Sequence, residues 1–208
     1  MAIVSVLYHP GERLPEPGLP LPPDLTAMEL PLPHGDVWQR LGVLYPAVAD
    51  EVARAVDRGE VPTVVSGDCI VSLAVLAGLQ RLGTEVPIVW FDAQGDVQTL
   101  ETTESGYVGG MPVRIAVGYR PELIADRLGL RPLPESRALL VDIPMSTTAK
   151  PDHECWLTCW RRATRRASRS AGTATISSGA TNDARPSPVI LETDRRTSRS
   201  RKCHTAMP

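Results

Sequence analysis

Aromatic residues are scarce in this chain of 208 residues, at 4% of positions with a single phenylalanine. Cysteine is equally sparse: Cys69, Cys155, Cys159 and Cys203 make up the whole set, and three of them fall in the last third. So few, so unevenly placed, they are no disulfide framework for a small secreted domain, and a reducing cytoplasm is the expected setting. No stretch approaches the ~18 consecutive apolar residues that a membrane span needs. The N-terminus has no basic segment leading into an apolar one, so no signal peptide is expected. The net charge of −2 says little until it is divided along the chain. Residues 1–145 hold 10 Lys and Arg against 19 Asp and Glu, whereas residues 146–208 hold 12 against 5. That asymmetry marks a basic tail or a junction of unlike origin.

What is present suffices for one domain. Apolar residues make up 42% of the chain, enough for a core. Ile3 to Tyr8 reads as a first strand, closed by His9-Pro10-Gly11. Eight of the 20 prolines then lie between Pro10 and Pro33, a density that forbids helix and favours extended loop, with a short strand over Leu25 to Leu30. His9 and His34 flank turn residues and read as surface histidines, since neither has a partner at metal spacing. Val37 to Arg58 has helical periodicity, with Pro46 expected to kink it or to start a second helix. Val61 to Val65 and Val86 to Phe91 read as buried strands. Between them Asp68 can cap a helix with apolar residues Ile70, Leu73, Leu76 and Leu79. Strand, helix and strand at this spacing predict a βαβ unit with parallel strands. A helix over Pro121 to Leu128 and a strand over Arg137 to Val141 follow.

The stretch that organises the chain is Ile88-Val89-Trp90-Phe91-Asp92-Ala93-Gln94-Gly95-Asp96. An apolar run of strand length ends in one carboxylate, and a second follows four residues later. Ligands in open α/β sheets sit outside the carboxyl ends of the strands. Two carboxylates bracketing a turn there suit a divalent cation such as Mg, Mn or Zn. The plainer alternative is a turn closing a buried strand, with both acids solvated.

Three linked segments carry a resemblance: Ser66-Gly67-Asp68-Cys69, Asp92-Ala93-Gln94-Gly95-Asp96 and Ser105-Gly106-Tyr107-Val108-Gly109-Gly110-Met111-Pro112. Together, over roughly residues 60 to 142, they resemble the arginase (ureohydrolase) family, with its Gly-Asp-His, Asp-Ala-His-x-Asp and Ser-Gly-x-x-x-Gly-x-Pro motifs. The resemblance implies a three-layer α/β fold with a mainly parallel sheet and two Mn ions at the strand ends. It also implies a metal-dependent hydrolase cleaving a guanidino or amidino C–N bond with release of urea, a small guanidino or amidino substrate, and assembly as a homo-oligomer. It assigns metal ligation to Asp92, Asp96, Cys69 and Gln94, a catalytic carboxylate to Asp96, and substrate contacts to Gln98 and Ser105.

The departures are chemical. Cys69 and Gln94 stand where the family has histidines: a soft thiolate favours Zn or Cu(I) over Mn, and a neutral amide oxygen is a weak donor. Gly109 stands where typical arginases carry a proton-shuttling histidine, whose positioned acid–base chemistry supplies ~10²–10⁴-fold. Leu139-Leu140-Val141-Asp142-Ile143-Pro144 approaches the family's second carboxylate pair, but no second Asp follows. From Ser146 onward 18 of 63 residues are Ser or Thr and 10 are Arg. The expectation is therefore an arginase-like α/β domain over 1–145, incomplete at its C-terminal side, and a disordered basic tail over 146–208 from a truncated or frame-shifted gene. Such a chain is an impaired or inactive hydrolase. The alternative is a non-catalytic remnant or binding protein with half the fold. In the tail, His153, Cys155, Cys159, Cys203 and His204 read as accidental rather than as a zinc cluster. Trp156 and Trp160 beside Arg161 and Arg162 read as chance residues rather than a nucleic-acid surface.

Overall fold

The computed structural model describes residues 1–15, 21–84, 86–92 and 94–142, and beyond them the backbones of two strands at 173–178 and 189–194. β1 (Ala2–Val6) pairs in parallel with the short β2 (Thr26–Ala27) and with β3 (Pro62–Ser66), Val4 facing Val64. β4 (Ile88–Asp92) pairs in parallel with β5 (Ala138–Asp142), which sets Asp92 opposite Asp142 in register. Between the two groups lie β6 (Thr173–Ser178) and β7 (Val189–Asp194), giving a sheet of order β2-β1-β3-β7-β6-β4-β5. β7 is antiparallel to both β3 and β6, and β6 is parallel to β4. The sheet is thus mainly parallel.

Among the described residues four α-helices accompany the sheet: α1 (Val37–Asp57), α2 (Ser72–Arg81), α3 (Pro112–Ala116) and α4 (Ala125–Leu128). α1 packs on β1, β3, α2 and α4, and α2 also touches α3 and α4. α1 starts in a capping box, in which the Gln39 N–H donates to the Asp36 carboxylate at 2.9 Å and the Asp36 N–H donates to the Gln39 side chain at 3.1 Å. Its buried face carries Leu41, Leu44, Tyr45, Val48, Val52 and Val56. α2 is buried at every position from Ser72 to Gln80, so it is enclosed rather than lying at the surface. At Gly78 an added Cβ would fall 2.6 Å from the Ala49 carbonyl oxygen and 2.9 Å from the Val52 Cβ, which fixes how closely α2 approaches α1.

Several expectations are corrected. Of the two alternatives for Pro46, the second helix is excluded: the proline lies inside a single α1. Apolar residues on both sides of it, Leu41 and Leu44 before and Val48 and Val52 after, are buried in one core, and that burial outweighs the lost hydrogen bond. The helix expected over Pro121 to Leu128 is a 3-10 turn at Pro121–Leu123 and the separate α4, parted at Ile124 where φ is −154°. The βαβ unit holds in direction only: β3 and β4 run the same way, yet β7 and β6 separate them. Those two strands also fall in the segment expected to lack regular structure. Thr173–Ser178 and Val189–Asp194 are rich in Thr, Ile and Val, residues suited to a pleated strand, and overall Arg and Ser content masks such short runs. The rest of 146–208, including His153, Cys155, Trp156, Cys159, Trp160, Cys203 and His204, lies outside the described residues.

Candidate active site

β1, β3 and β4 run in one direction, so their carboxyl ends lie on the same edge of the sheet, and all three sequence motifs converge there. At the end of β3, Asp68 caps a 3-10 turn over Cys69–Val71, accepting the Val71 N–H at 3.3 Å. It also accepts the Tyr45 hydroxyl from α1 at 3.1 Å. Burial lifts its carboxyl to about 7, against the pull of those two donors. The next side chain, Cys69, is buried and donates its thiol to the Gly109 carbonyl at 3.0 Å. Burial and then the neighbouring Asp96 and Asp68 carboxylates hold this thiol well above its ordinary range, so it stays protonated.

At the end of β4, Asp92 is buried and accepts the Gln94 backbone N–H at 3.2 Å. The Gln94 side chain itself is exposed. The chain then turns back through Asp96, whose φ of +47° is a left-handed conformation that Asp tolerates better than most residues. Asp96 is only 6% exposed, and its Oδ2 is buried with no hydrogen-bond partner among the described residues. Its carboxyl is pushed up to about 7, first by burial and then by the Asp92 charge, with the Cys69 thiol and the Trp90 indole pulling the other way. Gln98 and Ser105 are exposed. Gln98 donates its backbone N–H to the Gly110 carbonyl at 2.8 Å, and the Ser105 hydroxyl accepts the Tyr107 N–H at 3.2 Å.

Three residues outside the expected set belong here: Tyr45, which bonds Asp68, and the pair of His9 and Tyr107. His9, after β1, is half-buried rather than free at the surface. Its Nε2 lies 3.1 Å from the Tyr107 hydroxyl, and the two rings stack with centroids 5.7 Å apart. Burial pushes the Tyr107 phenol up, and Cys69, Asp68, Asp96 and Asp92 push it the same way. The sequence signal for His9 was its position at a strand end of the same polarity as β4; Tyr45 gave none.

The sequence model of the arginase family matches residues 25–175. The chain belongs to the arginase family. Among curated family members, the arginase of Bacillus caldovelox is 38% identical over 72 residues, which is 35% of this chain and 24% of that protein. The arginase of Bacillus subtilis is 32% identical over 85 residues, or 41% of this chain and 29% of that protein. In three dimensions, the native Bacillus caldovelox arginase superposes with a TM-score of 0.51 at 24% identity, covering 70% of this chain and 48% of that one. The fold is thus that of an arginase, with this chain spanning about half the length of that structure and less of the curated relatives.

The family implies a metal, and the donors do not fit a pair of Mn ions. Among the described residues no group of three or more His, Cys, Asp or Glu side chains is placed to hold one. Gln94 turns its side chain to solvent, and the Cys69 thiol is protonated and occupied by the Gly109 carbonyl. Mn takes hard oxygen and nitrogen donors, and of the four positions the resemblance assigns as ligands only Asp92 and Asp96 carry a carboxylate. Oδ2 of Asp96 is a buried carboxylate oxygen left without a hydrogen-bond partner among the described residues.

Proposed function

We propose that this chain is an arginase-family hydrolase for the C–N bond of a small guanidino or amidino compound, impaired in this chain because its donor set does not bind the metal pair. The bond between the Cys69 thiol and the Gly109 carbonyl carries this reading, since it removes the donor that stands at the first histidine of the family motif. Asp92 and Asp96 are the remaining cation-facing groups, with Asp96 the catalytic carboxylate and Gln98 and Ser105 at the substrate side. Gly109 supplies no group to carry a proton.

Family membership and the match to arginases support the reaction class. The departures at Cys69, Gln94 and Gly109 support the impairment. The same departures leave a second reading, a non-catalytic binding protein on the same fold. A cytoplasmic site of action and a homo-oligomeric state are part of this proposal. No helix among the described residues is long and apolar enough to cross a membrane. Urea release from arginine and other guanidino compounds, measured on the full chain with and without added Mn, tests it. Release at the background rate under both conditions is expected, and Mn-dependent turnover would overturn the impairment.

A further inference from the structure

Tyr107 sits where a side chain of Gly109 would have to go. A Cβ built on Gly109 would lie 2.5 Å from Cζ and 2.6 Å from the hydroxyl oxygen of Tyr107, so the phenol ring lies directly against the bare backbone at that position. The carbonyl of the same Gly109 receives the Cys69 thiol at 3.0 Å. Tyr107, Gly109 and Cys69 are therefore linked in one line of contacts, with Tyr107 40% exposed and Cys69 buried. The ring is held from β1's end, by the imidazole of His9 stacked on it at an interplanar angle of 24° and bonded to its hydroxyl. Tyr107 itself follows Gly106, whose φ of +71° marks the turn that carries the ring into place.

We propose that Tyr107 is the gate of the strand-end site and His9 its latch, so that a ligand reaches Cys69, Asp92 and Asp96 only when the phenol swings off Gly109. The inference rests on the reading of the strand ends as the ligand site. It also accounts for glycine at position 109: any side chain there would hold the gate open. His9 is a positioning residue that acts through Tyr107, and Tyr107 selects by admitting small ligands to the strand ends.

Cys69 is the reporter. Alkylation of the full chain by iodoacetamide, followed by trypsin and mass spectrometry, reads Cys69 in the peptide running from Gly59 to Arg81. Opening the gate raises the labelling rate about tenfold in Tyr107→Ala, with smaller rises in His9→Ala and in Tyr107→Phe, which loses only the bond to the imidazole. Amide exchange at Val64 and Val65 of β3, followed in parallel, stays as in the parent chain. Labelling unchanged in all three variants, or rising only in step with faster exchange across β3, would overturn the gate. Because alkylation requires neither turnover nor metal, a chain without hydrolase activity leaves this test intact.

Discussion

The hydroxyl of Tyr45 donates to Oδ1 of Asp68 at 3.1 Å, joining the middle of α1 to the turn that follows β3. Both residues are buried, so the contact is made without water. It sets the turn that presents Cys69, and through the Cys69 thiol it reaches the loop of Gly109.

Tyr45→Phe removes the donor and leaves a buried carboxylate with fewer partners. A loss of about 1–3 kcal/mol is expected, read as a lower midpoint in urea at constant slope. The same change lifts the Asp68 carboxyl further, since the phenol hydrogen bond opposes the effect of burial. An unchanged midpoint would show that the bond does not support the fold.

Asp68 and Asp96 both sit near 7 in the folded chain, above the ~3.9 of an unfolded aspartate. Between those two values the folded state holds protons that the unfolded state has released, so their contribution to stability falls as pH rises through the window and stays low above it. Asp96→Asn removes the cost of charging Asp96 and keeps a residue that accepts the left-handed backbone. The variant should melt higher than the parent at pH 8, by about 2–4 °C for each kcal/mol recovered, and nearly level with it at pH 4. Equal gains at both values would assign the effect to the backbone rather than to charge.

Titration calorimetry with Mn near neutral pH should show no stoichiometric pair of ions at micromolar affinity. Gln94→His should not restore one, because Cys69 keeps its bond to Gly109 and the side chain at 94 points to solvent. Tight binding of two ions by the parent chain would refute the donor count.

Gly78→Ala forces a methyl group against the carbonyl of Ala49, a backbone atom that cannot rotate away. Overpacking of this kind costs about 1–3 kcal/mol. Chemical denaturation measures it, and an unchanged midpoint would show that the two helices move apart without cost.

Ending the chain at residue 145 removes β6 and β7 and exposes the facing edges of β3 and β4. Open edges pair with other chains. Size-exclusion chromatography of the shortened form should show association at concentrations where the full chain gives a single smaller species. Identical elution and melting of the two would place the sheet's stability wholly within the first 145 residues.

The elements around the site were legible because each depends on local chemistry. Apolar runs ending at Ser66 and Asp92 and a capping aspartate at 68 act over a few residues. The meeting of Cys69 with Gly109, and of His9 with Tyr107, depends on strands far apart in the chain, and no short-range pattern encodes it. The same holds for the sheet order. β3 and β4 are consecutive in sequence, and nothing in Val61 to Phe91 announces that two later strands stand between them. Pro46 left two alternatives open for the opposite reason: its local penalty is real, and the burial of α1 is what keeps the helix single.

The place of β7 bears on how the protein is made. Residues 63–66 leave the ribosome long before their partners at 189–192. The nascent chain must carry an unclosed sheet until β7 has emerged, and its slowest contacts are those that span the greatest length of chain. The polypeptide that has made β3 and β4 but not yet β7 is therefore the species most in need of a chaperone.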